Sequence, residues 1–202
     1  FKNKEDIHLS TASKVYGLNI DKISSEQRSN AKIVNFGIIY GVSAFGLSNQ
    51  SNMSRSESKS MIDSYFDAYP TLKKYISDQI NFARENGFVE TILGRRRYLK
   101  DINARNPVVR GAAERNAVNA PIQGSAADII KLAMINISKK MKSNEFKSNM
   151  LIQVHDELIF EIHNSEIELM RKLITEEMEN AYALKVPLSV DIGIGDNWFD
   201  AH

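Results

Sequence analysis

Apolar residues recur at helical spacing through most of the chain and switch to strand spacing only near its end. Ser24 with Gln27 forms a capping box, which opens a helix running to about Tyr40 with Gly41 as its stop. Ser54 with Glu57 opens a second helix in the same way, its stripe made by Met61, Ile62, Tyr65, Phe66 and Tyr69 and its end set by Pro70. A third places Leu72, Tyr75, Ile76, Ile80 and Ala83 inward and closes at Asn86-Gly87. Phe88 to Leu93 reads as a short strand leading to Gly94 and the basic run Arg95-Arg96-Arg97. Pro107 suits the first position of a helix through Asn119, and another helix runs from near Gln123 to about Met141.

The period then changes. Met150 to Val154 and Leu158 to Ile162 alternate as two strands of a hairpin with His155-Asp156-Glu157 at the tip. Ile167 to Ala183 returns to helix and Pro187 to Ile194 to strand. The predicted class is α+β, mostly helical, with a helical first part and a mixed sheet-and-helix second part.

Composition adds a segregation of charge. Residues 1–150 hold 23 Lys/Arg against 14 Asp/Glu, and residues 151–202 hold 3 against 11. A basic surface for a polyanion beside an acidic one that gathers carboxylates fits this balance, although two solvated faces would give the same counts. The absence of cysteine removes disulfides and thiolate metal sites and favours a reducing, cytoplasmic setting. No apolar run approaches the ~20 residues of a membrane span. The chain opens at Phe1-Lys2-Asn3 without a methionine, as expected for a piece of something larger.

Within the first helix Arg28, Lys32, Phe36 and Tyr40 are spaced by four, so they share a slanting face about 18 Å long. Two cations toward one end and two rings toward the other suit a nucleoside triphosphate, phosphates on the cations and sugar and base on the rings. The competing arrangement is a surface helix whose rings enter the core while the cations stay wet, and spacing alone favours it. Gly37 weighs against it, because an interior glycine costs ~1 kcal/mol relative to alanine and usually marks a close approach.

At the hairpin tip Asp156 is a candidate metal ligand and Glu157 a weaker second carboxylate. His and Glu are poor residues for a tight turn, which favours function over a plain polar loop. A zinc site on His155 is set aside, since His8, His163 and His202 show no compact ligand spacing around it. The natural partner for Arg95, Arg96, Arg97, Lys100, Arg105, Arg110 and Arg115 is a phosphate backbone, with a solvated basic face as the alternative.

The string from Arg28 through Asn35-Phe36-Gly37 to Tyr40-Gly41 resembles the fingers helix of family A DNA polymerases, the bacterial DNA polymerase I type. Asp6-Ile7-His8, Asn119-Ala120-Pro121-Ile122-Gln123-Gly124, Ala126-Ala127-Asp128-Ile129-Ile130 and Val154-His155-Asp156-Glu157-Leu158 resemble the same family in its order, and the likeness reaches the closing Ala201-His202. The resemblance implies residues 1–118 as mainly fingers and residues 119–202 as the carboxy-terminal part of the palm. It implies template-directed DNA synthesis in replication or repair, with primer-template DNA and dNTPs as partners and two Mg²⁺ ions as cofactor.

By position, His8, Arg28 and Lys32 would contact the incoming triphosphate. Phe36 would pack on its sugar, with discrimination against dideoxynucleotides, and Tyr40 would sit at the nascent pair. Arg115, Asn119 and Gln123 would touch the primer-template, and His155 the primer terminus. Asp156 and Glu157 would hold metal, and Lys32, Asp156 and Glu157 would form the catalytic set. The family's other metal-binding aspartate is not supplied by residues 1–7, so the isolated chain is expected to be inactive while its parent is active. An unpaired sheet edge, and self-association through it, are expected for the same reason. The rivals are a single-subunit RNA polymerase, which the strings around Phe36, Gln123 and Glu157 fit less well, and a DNA-binding module without chemistry.

Overall fold

Two capping boxes predicted from sequence are formed as written. In a computed structural model of the chain, which describes residues 5–201, Ser24 Oγ accepts from the Gln27 N–H and Gln27 Oε1 accepts from the Ser24 N–H, opening α2 (Ser25–Ile39). Ser54 and Glu57 open α4 (Arg55–Ala68) by the same exchange. The opening Phe1-Lys2-Asn3 and the terminal His202 lie outside the described residues.

The remaining elements are α1 (Ile7–Tyr16), α3 (Ala44–Ser48), α5 (Pro70–Asn86), β1 (Phe88–Glu90), β2 (Arg96–Tyr98), α6 (Pro107–Ser143), β3 (Asn149–Val154), β4 (Glu157–Glu161), α7 (Ile167–Glu179) and α8 (Trp198–Ala201). Short 3-10 turns at Ile20–Lys22 and Asn164–Glu166 precede α2 and α7. The chain divides into two compact units between Gln123 and Gly124, inside α6.

The first unit has two cores. One gathers Ala12 of α1, Ala31, Val34 and Ile38 of α2, Leu47 of α3, and Met61 and Tyr65 of α4. The other joins Ala83 of α5, Val89 of β1, Leu99, Ile102, and Ala113 and Ala117 of α6. In the second unit Ile137 and Met141 of α6 pack with Met170 and Leu173 of α7, and β3 and β4 lay Met150, Leu158 and Phe160 on them. Each core removes one apolar stripe from water, worth roughly 25 cal/mol per Å² buried.

Several elements depart from the sequence reading. The expected helices 107–119 and 123–141 are one helix, α6, which carries Pro121 inside it. An interior proline loses one ladder bond and costs about 3 kcal/mol. Apolar burial on both sides of it, by Ala117 and Val118 before and Ile130, Ala133 and Ile137 after, holds the helix through the break. The strand expected over Phe88 to Leu93 ends at Glu90, and part of the basic run becomes its partner: Phe88 pairs with Tyr98, Val89 with Arg97 and Glu90 with Arg96.

Glu157 is not turn but the first residue of β4, opposite Val154. Helix α7 stops at Glu179 rather than Ala183: the Ala181 N–H turns to the Met178 carbonyl, and the Asn180 side-chain amide donates to the Glu176 carbonyl. Residues 187–194 form no strand; both sheets are two-stranded and antiparallel, and no described neighbour accepts a ladder from this segment. The hairpin β3–β4 therefore has open outer edges among the described residues.

The cap of α2 sets where that helix begins. Replacement Ser24→Ala is expected to cost about 1 kcal/mol, read as a lowered urea midpoint at unchanged slope, and an unchanged midpoint would contradict the cap.

Candidate nucleotide-binding site

Helix α2 buries Asn30, Ala31, Val34, Gly37 and Ile38, which leaves its opposite face outward. Phe36 is 54% exposed and Tyr40 55% exposed, so the rings do not enter the core. Large aromatic side chains held half in water beside two cations form a surface suited to a ligand with both anionic and flat parts. Lys32, Phe36, Tyr40, Gly41, Val42 and Arg115 contribute to the wall of an open cavity of about 590 Å³ along this face, within the usual range for small-molecule sites.

The end of α2 shapes the cavity. Gly41 has φ 70°, the left-handed conformation that glycine takes without strain. Its N–H bonds to the Ile38 carbonyl and the Val42 N–H to the Gly37 carbonyl, which is the Schellman ending. A Cβ at Gly37 would lie 2.7 Å from Val42 Cγ1, so the close approach marked by this glycine is Val42's, not a ligand's. A Cβ at Gly41 would lie 2.5 Å from Arg115 Cγ, which shows how tightly Arg115 crosses the helix end. Asn119 Nδ2 donates to the Ile39 carbonyl at 3.4 Å and Gln123 Nε2 to Tyr40 Oη at 3.4 Å. Thus Arg115, Asn119 and Gln123, chosen by motif, are brought to the carboxyl end of α2.

At the other end, the Asp6 carboxylate joins α1 to α2. One oxygen accepts from the His8 and Leu9 N–H groups at 2.9 and 3.0 Å, capping α1. The second accepts from Arg28 Nε at 2.8 Å and lies 2.7 Å from Arg28 Nη2. The Leu9 N–H and the Arg28 guanidinium together hold this carboxyl below its ordinary pKa. His8 lies beside Phe36, ring centroids 5.6 Å apart. Burial, opposed by Asp6 and reinforced by Arg28 and Lys32, lowers the His8 pKa and so favours the neutral ring.

The hairpin tip in the second unit is a two-residue turn, His155-Asp156, closing the pair Val154 and Glu157. His155 has φ 53°, a conformation uncommon for non-glycine residues, and Gln153 Nε2 steadies the turn by donating to the His155 carbonyl at 2.9 Å. Backbone held in a sparsely populated region is often found where function requires it. Asp156 is exposed at the tip and Glu157 half-buried beside it. Among the described residues no three His, Asp or Glu side chains are gathered as a complete metal cage. The two carboxylates have the oxygen chemistry Mg²⁺ prefers.

A family model described as DNA polymerase family A matches residues 1–200. The chain belongs to DNA polymerase family A. It is 50% identical over 200 residues to the DNA polymerase I of Caldicellulosiruptor bescii, a match over 99% of this chain and 24% of that protein. With the DNA polymerase I of Bacillus subtilis it shares 47% over 201 residues, 100% of this chain and 23% of the relative. The chain thus spans about a quarter of the length of these relatives. Its fold matches the POL domain of Pol1 from M. smegmatis, solved in complex with DNA primer-template and dNTP, with TM-score 0.92, 44% identity, and coverage of 99% of this chain and 35% of that one.

The basic run of this family A chain is not uniformly available to phosphate. Arg96 pairs with Glu90 at 2.7 Å and stacks at 4.3 Å over the Phe88 ring, so it serves the β1–β2 hairpin. Arg110 donates to the Ala104 carbonyl at 3.0 Å and lies 3.7 Å from Glu114. Arg97, Lys100 and Arg105 remain exposed. Asp128 is buried at 1% exposure in α6 and is part of the interior. Sequence reasoning missed Asn35, Thr11 and Tyr69, whose side chains form a hydrogen-bonded chain to His8; the only signal was Asn35 lying next to Phe36.

Gly17 and Gly41 share the left-handed conformation, but nothing lies within 4 Å of a Cβ at Gly17. Gly17→Ala is expected to cost about 1 kcal/mol, and Gly41→Ala more, because Arg115 must also move. Urea unfolding of the two variants checks this, and equal losses would remove Arg115 from the cavity wall.

Proposed function

We propose that this chain provides the nucleotide-binding face and the carboxylates Asp156 and Glu157 of an enzyme for template-directed DNA synthesis, acting in DNA replication or repair. The observation that carries this reading is the outward face of α2, on which Arg28, Lys32, Phe36 and Tyr40 line up beside an open cavity while the opposite face is buried. Membership of DNA polymerase family A supports it, and the DNA primer-template and dNTP of the similar Pol1 domain are the ligands proposed for this chain.

In the reaction, the primer 3′ hydroxyl attacks the α-phosphorus of a dNTP. A new P–O bond forms, the bond to the bridging oxygen breaks, pyrophosphate leaves and the hydroxyl proton is lost. Arg28 and Lys32 would bind phosphate oxygens, Arg by a planar fork and Lys as a compact charge, with His8 assisting. Phe36 would pack on the sugar and Tyr40 on the nascent base pair. Arg115, Asn119 and Gln123 are proposed to touch primer-template acceptors that all base pairs offer in similar places, and His155 to lie by the primer terminus. Asp156 with Glu157 would hold Mg²⁺, which supplies charge stabilisation to hydroxyl and leaving group when bound. On this reading residues 1–118 are mainly fingers and 119–202 the carboxy-terminal part of the palm. No helix among the described residues is long and apolar enough to cross a membrane.

Tests belong in a polymerase that carries this chain. Asp156→Asn is expected to slow primer extension by roughly 100-fold or more, since metal-held charge is worth several kcal/mol in the transition state. Extension that survives with unaltered metal dependence would leave a DNA-binding module as the better reading. Lys32→Ala is expected to raise the KM for dNTPs on the order of 10- to 100-fold with primer-template affinity nearly constant. Equal loss of both would remove Lys32 from the triphosphate site. The open edges of β3–β4 are also where the isolated chain would self-associate, and a clean monomer by sedimentation across concentration would end that proposal.

A further inference from the structure

One nitrogen of the His8 ring is already engaged. Asn35 Nδ2 lies 3.0 Å from His8 Nδ1, and Thr11 Oγ1 donates to Asn35 Oδ1 at 3.2 Å. Thr11 Oγ1 also lies 3.0 Å from Tyr69 Oη, at the junction of α4 and α5. Thr11 is only 3% exposed, so the chain of bonds is rooted in the core formed by α1, α2 and α4. With its carbonyl oxygen taken by the Thr11 hydroxyl, the Asn35 amide presents an N–H to His8. A ring nitrogen that receives a donor must be unprotonated, and in a neutral imidazole the proton then sits on the other nitrogen.

We propose that Asn35 is a positioning residue that holds His8 as its Nε2–H tautomer, so that the ring donates a hydrogen bond to an anionic oxygen of the incoming triphosphate. This rests on the nucleotide-binding reading of α2. The opposite tautomer would aim a lone pair at the phosphate oxygens and repel them. Burial, with Arg28 and Lys32, lowers the His8 pKa against the pull of Asp6, and in the neutral ring this favours, donation depends on the tautomer. Asn35 suits the role by position. At ~100° per residue it stands at the border between the buried stripe of α2 and the face bearing Arg28 and Lys32, within reach of both core and ligand. Phe36, the next residue, flanks the same ring.

Two measurements test this. Long-range ¹⁵N–¹H spectra of the histidines in this chain are expected to show His8 protonated at Nε2, and an Nδ1–H or mixed signature would overturn the proposal. In a polymerase carrying the chain, Asn35→Leu is expected to raise the KM for dNTPs by roughly 10-fold with kcat nearly unchanged. The same substitution in a His8→Ala background is expected to add nothing, since Asn35 acts through His8. An equal rise in that background would make Asn35 a merely structural residue. The nucleotide-binding reading fails separately, through Lys32→Ala leaving KM unchanged, so the two failures are distinguishable.

Discussion

Burial of one stripe of α2 is the constraint on which the site depends. Ala31, Val34 and Ile38 are packed against Ala12, Leu47, Met61 and Tyr65, and Gly37 is closed over by Val42. At ~100° per residue the centre of that stripe lies about 180° from the centre of the stripe Arg28, Lys32, Phe36 and Tyr40. The core therefore fixes the rotation of the helix, and the rotation fixes which side chains meet solvent. Two half-exposed rings are a cost the fold could avoid by turning α2, but doing so would bring Arg28 and Lys32 into the core without partners.

The ends of the helix are fixed by different means, and each end delivers different chemistry. At the start, Asp6 serves two structures at once, since it caps α1 and pairs with Arg28. An exposed ion pair alone contributes little; here its value is geometric, because it sets His8 and Arg28 side by side. At the finish, the left-handed Gly41 lets Arg115 cross the helix end while Asn119 and Gln123 bond to Ile39 and Tyr40. Arg28 and His8 thus meet at one end of the helix, and Arg115, Asn119 and Gln123 at the other.

Much of this could be read from sequence because it is local. Ser24 with Gln27, Ser54 with Glu57, and Gly41 and Gly87 as stops are signals within a single helical turn, and the structure places each as expected. What failed depended on distant partners. The break expected between Asn119 and Gln123 is bridged by packing on both sides of Pro121 in α6. Residues 187–194 have strand composition, but a strand exists only where a neighbour accepts its hydrogen bonds. The arginine run gave no hint that Arg96 would face Glu90 and Phe88, since that pairing follows from a register set by the turn at Gly94. In the site, spacing could place Phe36 and Tyr40 on one face but not say whether it faced inward. The bonds of Asn35 and Thr11 span separations of 24 to 58 residues, beyond the reach of any periodic pattern.

The hairpin tip and the α2 face belong to different units of the chain, one offering an exposed carboxylate and the other a cationic, aromatic surface. Of the two, the α2 face is the one whose geometry is the more complete. Titration of the ¹⁵N-labelled chain with dATP tests that face directly. Shift changes are expected to concentrate at His8, Arg28, Lys32, Phe36 and Tyr40; changes confined to the exposed Arg97, Lys100 and Arg105, or none at millimolar dATP, would contradict a nucleotide site on α2.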